Sequence, residues 1–183
     1  MLAYFFILFG AVLRVLPHPA NFAPIGAVAL FGGVYLKNKW QALALPIIAM
    51  MISDYFIGFD DLKSRLIIYG AFLLIGLIGL AIRNHKNIFT VVGGSLLGSS
   101  LFYLITNLVW LYPAKMYPHT VAGQIASYTN ALPFFRNTLL GDLFYVGVLF
   151  GSYELVMWYQ NSKHQILNPK QIPISNNQNP KHF

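Results

Sequence analysis

Apolar residues come in six long blocks separated by short polar stretches. The blocks cover residues 2–16, 25–36, 40–59, 66–82, 88–111 and 138–159. Blocks of this length without strict alternation read as helices. They predict an all-α fold, a polytopic membrane bundle of about six transmembrane helices. The block at 25–36 would rise only about 18 Å, against a hydrocarbon core of about 30 Å. The first block is short as well, so these two helices are expected to be short or strongly tilted. Between them Pro17, Pro19 and Pro24 forbid a regular helix. Irregular backbone at membrane depth survives only under protein or beside a water-filled cavity. This proline segment is therefore expected to dip into the protein.

Two other segments break the pattern. Tyr112-Pro113 and Tyr117-Pro118 interrupt the chain, and Val121, Ile125, Tyr128 and Leu132 then fall on one helical face. That stretch is too polar to span. Residues 112–133 are expected to form a surface lid, with the helix lying flat. Residues 161–183 are rich in Asn, Pro, Gln and Lys and have little to bury. The expected organisation is a single transmembrane domain over 1–160 and a disordered cytoplasmic tail over 161–183.

Composition agrees with the pattern. Hydrophobic residues make up 57% and charged residues 9% of the chain, where soluble domains are about a quarter charged. The first block lacks a basic leading region and a small-x-small cleavage site, so it reads as a helix rather than a cleaved signal. There is no cysteine, which removes disulfides and thiolate metal sites. The net charge of +7 sits between apolar blocks and in the tail. That distribution suits loops beside anionic lipid, not nucleic acid. With six crossings and the amino terminus inside, Lys37, Lys39, Arg83, Lys86, Lys163, Lys170 and Lys181 lie inside; Lys63, Arg65 and Lys115 lie outside. If residues 25–36 do not cross, the amino terminus moves outside. The carboxyl terminus is cytoplasmic either way.

Polar residues within apolar blocks are the candidate chemistry. A charge at the bilayer centre costs roughly 2.5–3.5 kcal/mol on insertion scales. Arg14, Asp54, Asn107, Trp110, Arg136, Asn137 and Asp142 all fall toward the outer ends of their blocks, and His18 and Asn21 of the proline segment join them as candidate solute-binding residues. Ser95, Ser99, Tyr103, Asn107 and Trp110 form one helical stripe, and Thr138, Asp142, Tyr145 and Ser152 form another. Such stripes turn toward the bundle interior, either to bind a solute or to hold helices together. Asp142 is expected beside Asn107 and near Arg136 or Arg14, with Asn137 as a helix N-cap. An Arg14–Asp54 or Arg136–Asp54 ion pair is a competing arrangement. The Gly94–Gly98 and Gly147–Gly151 pairs read as packing between the fifth and sixth blocks. Tyr55, Phe59, Trp110, Tyr112 and Phe134 point to a flat, ring-bearing solute, or to an interfacial aromatic belt. No GxxxxGK[ST] loop is present, so the chain does not itself drive transport with ATP. Nothing in it reads as a cofactor or metal motif.

The stretches Arg14-Val-Leu-Pro-His-Pro-Ala-Asn-Phe-Ala-Pro-Ile-Gly-Ala, Ser53-Asp54 and Leu132-Pro-Phe-Phe-Arg-Asn-Thr-Leu-Leu-Gly-Asp142 carry a resemblance. Over about residues 10–155 the chain resembles a bacterial family of unknown function described as candidate transport proteins. That family is similar to the substrate-capture (S) components of energy-coupling factor transporters. The resemblance implies six helices, a solute pocket opening outward, a bacterial inner-membrane location, and external ATPase and transmembrane partners. S components commonly carry AxxxA in helix 1; residues 2–16 hold none, and Ala23–Ala27 has that spacing instead. The expected function is a solute-capture subunit, not an enzyme. The alternatives are a proton-coupled carrier using Asp142 or Asp54, a membrane-embedded enzyme pairing Asp54 with Asp142, and an assembly protein.

Overall fold

The computed structural model describes residues 2–58 and 61–166. Six α-helices follow in order: α1 (Leu2–Val15), α2 (Ile25–Tyr35), α3 (Lys39–Ile57), α4 (Leu62–Ile82), α5 (Ile88–Thr106) and α6 (Val121–Ile166). Short 3-10 turns sit at Arg83–His85 and Val109–Leu111, and no strand occurs among the described residues. Four helices are long and apolar enough to cross a membrane, and α1 and α2 are shorter apolar helices. The protein is a helical membrane bundle.

Its centre is the shortest helix. Every residue of α2 from Ile25 to Val34 is buried, and α1, α3, α4 and α5 all pack on it. A helix that is apolar all round has no water-facing side and belongs inside. Its 11 residues rise only about 16 Å. Glycine lets α4 approach. A Cβ on Gly33 would come within 2.4 Å of the Gly76 carbonyl oxygen and 2.7 Å of the Gly79 Cα. The α5 pair Gly94 and Gly98 faces Ile75, Ile78 and Ile82 of α4, while Gly147 and Gly151 have open space around them. The expected packing of the fifth block on the sixth through these glycines is thus corrected: the first pair serves α4, and the second serves no described neighbour.

Helix starts follow local chemistry. Asn38, Asp61 and Asn87 each accept backbone N–H bonds at the head of α3, α4 and α5, satisfying donors that have no partner within the helix. The main departure from the sequence reading concerns α6. Residues 121–132 and 138–159 are not a lid and a separate span; they lie on one helix, with Pro133 inside it. Proline removes one N–H from the ladder and crowds the carbonyl four residues back, which strains a helix without necessarily ending it. Asn137 is consequently inside the helix rather than at its N-cap.

The chain divides into two compact units, Met1–Tyr153 and Glu154–Phe183. In the second, Lys163 Nζ lies 4.6 Å from the centroid of the Tyr159 ring. Helix continues to Ile166, beyond the expected start of the tail at residue 161. The rest of that tail lies outside the described residues. The site lies in the first unit.

Candidate functional site

The Gly141-Asp142 pair joins the proline segment to the core. A Cβ on Gly141 would stand 3.0 Å from the Phe22 Cα, so glycine there admits the backbone of the segment. The Phe22 ring packs against Phe144 and Tyr145 of α6. Asn137 Nδ2 donates to the Ala20 carbonyl at 3.0 Å. Pro24 is fully buried, while Asn21, with φ 62°, is exposed. Asparagine tolerates this left-handed backbone better than most residues. The segment therefore dips into the protein at its α2 end and turns outward at Asn21.

Asp142 is buried and meets the first turn of α2. Its carboxylate accepts from Ser99 Oγ at 2.6 Å and from the Ala27 N–H. A Cβ on Gly26 would lie 2.3 Å from Asp142 Oδ1. Free N–H groups and the positive end of the helix dipole make this a favourable place for an anion. Asp142 thus caps α2 from another helix. Among the described residues no cation pairs with it. The partner expected of it, an arginine, is replaced by a helix terminus.

The arginine stands elsewhere. Arg14 Nη1 lies 2.5 Å from Asp54 Oδ1 and donates to Ser53 Oγ at 2.5 Å. Ser53 Oγ in turn donates to the Met50 carbonyl at 2.9 Å. The other Asp54 oxygen accepts from the Tyr69 hydroxyl at 2.7 Å and has Arg65 Nε at 3.9 Å. A charge held away from water needs both a counter-charge and hydrogen bonds, and Asp54 has both. His18 places Nε2 3.1 Å from the Arg14 carbonyl oxygen, which folds the start of the proline segment back on α1.

Three adjoining cavities occupy this end of the unit. The largest, about 410 Å³, is lined by Arg14, His18, Asn21, Thr138 and Asp142 on its polar side and by Ile25, Ile57, Ile68, Phe72 and Phe102 among its apolar residues. A second, about 250 Å³, shares Asn21, Ile68, Phe102 and Thr138 with it and adds Tyr103 and Asn107. A third, about 290 Å³, shares Thr106, Asn107, Tyr112, Ala131 and Phe134 with the second. Small-molecule sites have this size range and this character, mostly apolar with a few fixed polar groups. Asn107 closes α5, and its carbonyl accepts from Gln124 Nε2 and Ser127 Oγ, each at 3.0 Å. Burial pushes the Tyr112 phenol above its usual range.

The expected site residues divide accordingly. Arg14, His18, Asn21, Asn107 and Asp142 line the cavities. Asp54 stands behind Arg14 rather than in the wall. Asn107 lines the second and third cavities and Asp142 the first, so the two do not share one. Arg136 is exposed and Trp110 is half exposed in the 3-10 turn, and neither is among the lining residues. Asn137 ties down the proline segment instead. Of the proposed ring wall, Tyr112 and Phe134 line cavities, Tyr55 points out, and Phe59 lies outside the described residues. Sequence reasoning missed Arg65 and Tyr69. A signal existed: Arg65 and Tyr69 stand four residues apart, on one face of α4.

The arrangement defines a membrane-embedded helical protein with a mixed polar and aromatic cavity. The chain belongs to a family of unknown function, DUF6580, whose model matches residues 1–167. No curated protein and no solved structure matches the chain.

Proposed function

We propose that this protein is a solute-binding subunit of a membrane transporter, similar in role to the S components its sequence resembles. The solute is small and ring-bearing, and partner subunits supply the energy. One observation carries the reading: the cavity beside Arg14 and Asp142 joins polar groups from α1, the proline segment and α6 to the Phe72–Phe102 ring pair, whose centroids are 5.0 Å apart. Rings stack on rings, and fixed polar groups orient what enters. Binding is favoured over acid–base catalysis because Asp54 and Asp142 are each committed to a structural partner. The charge distribution supports a cytoplasmic carboxyl terminus, and the resemblance to a bacterial family supports an inner-membrane location.

The test is to purify the protein in mild detergent, denature it, and identify released small molecules by mass spectrometry. Adding the released compound back should raise the melting temperature. A protein that releases nothing, and whose melting no small molecule alters, is not a capture subunit.

A further inference from the structure

Arg14 has hydrogen-bonding capacity that the fold does not use. Its guanidinium carries five N–H donors in a rigid plane. Nη1 spends both of its protons on α3, at Asp54 and Ser53, with the Met50 carbonyl a further acceptor at 3.4 Å. None of these α3 residues lines the cavity, whereas Arg14 does. The edge formed by Nε–H and Nη2–H makes no hydrogen bond among the described residues. That edge is a two-pronged fork, the form that matches a carboxylate or phosphate group. Asp54 acts as a positioning residue: it holds one end of the guanidinium against α3 and leaves the other edge for the cavity. Asn21, on the same wall, has a side-chain amide with no hydrogen bond among the described residues. Asp142 has the opposite sign, but its oxygens face Ser99 and the start of α2.

Resting on the solute-binding reading, we infer that the solute is a small organic anion, with its acidic group on the Arg14 fork and its apolar body against Phe72 and Phe102. The acidic group belongs to a soluble compound rather than to a lipid headgroup, since a cavity of about 410 Å³ takes a small ring-bearing acid whole but has no room for acyl chains.

Benzoate, benzamide and benzylamine share one ring and differ in charge. Each is titrated into the purified protein in phosphatidylcholine nanodiscs, with the melting temperature as readout. Benzoate should bind about tenfold more tightly than benzamide, and benzylamine should be weakest. Arg14→Lys keeps a cation beside Asp54 but loses the fork, so it should fold and lose most of that preference. Gly147→Ala, which lies outside the cavity walls and meets nothing within 4 Å, should keep it. Equal responses to the three compounds, a preference for benzylamine, or an undiminished benzoate preference in Arg14→Lys overturns the inference and leaves the solute-binding reading standing. If none of the three acts, the molecule released on denaturation decides. A soluble acid supports the inference; a neutral compound, a cation or an anionic lipid overturns it. Release of nothing removes the solute-binding reading itself.

Discussion

The contact between Gly26 and Asp142 makes a sharp test of how α2 is held. A methyl group at Gly26 would stand 2.3 Å from Asp142 Oδ1, about 1 Å inside ordinary carbon–oxygen contact. Either the carboxylate withdraws or the helices separate. Overpacking of this kind costs about 1–3 kcal/mol. Withdrawal forfeits hydrogen bonds to a charged group, worth about 1.5–3 kcal/mol. Alanine returns up to about 1 kcal/mol by restricting the unfolded chain. The net expectation for Gly26→Ala is about 0.5–2.5 kcal/mol of destabilisation, a fall in melting temperature of about 1–10 °C for a chain of this size. Gly147→Ala is the control. Nothing lies within 4 Å of its added Cβ, and it should be neutral or stabilising by about 0.5–1 kcal/mol. Thermal unfolding in nanodiscs, followed by circular dichroism, reads both. Asp142→Ala should be destabilising alone, and the double variant with Gly26→Ala should cost clearly less than the sum, because both changes remove the same contact. Strict additivity, or a Gly26→Ala protein that melts with the wild type, would refute the capping role assigned to Asp142.

Three further predictions follow from other parts of the fold. Tyr69→Phe removes one hydrogen bond to the Asp54 carboxylate and should cost about 1.5–3 kcal/mol in the same melting assay. Ser95 Oγ is buried with no hydrogen-bond partner, so Ser95→Ala should lose no stability and can gain up to about 1 kcal/mol, being relieved of an unpaired hydroxyl; a clear loss would mean the hydroxyl is used. Asp61, held below its ordinary 3.8 chiefly by the Ser64 side-chain hydrogen bond, stabilises the head of α4 in its ionised form. That contribution is present above pH 3.8 and is lost as pH falls through the lower folded value. The protection of the first-turn amides of α4 against hydrogen exchange, taken relative to the intrinsic rate at each pH, should therefore fall at acid pH in the wild type but not in Asp61→Ala.

Much of the fold was legible because the apolar blocks are long and sharply bounded, and each lies mostly within a helix. The inward stripes of α5 and α6 were also readable, and the Ser99–Asp142 bond joins them. The region before Pro133 was misread for two reasons. A proline does not always end a helix that is supported on both sides. The face containing Val121, Ile125 and Leu132 is exposed, whereas Ser127 and Ala131 are buried. A rule that turns apolar faces inward belongs to water; beside lipid the apolar face can point out. The partner of Asp142 was not readable at all. A helix terminus carries partial charge without a charged side chain, and no residue letter marks it.

The burial of α2 also bears on how the protein is made. A segment of 11 residues is too short to cross the roughly 30 Å hydrocarbon core by itself. Its first turn is completed by Asp142, which the ribosome adds more than a hundred residues later. α3, α4 and α5 can pack on α2 as they are made, but its leading N–H groups stay open until Asp142 of α6 arrives. Chains stopped before Asp142 lack the group that closes the core and should be cleared by membrane proteases, so the last span acts as the completion signal for one of the first.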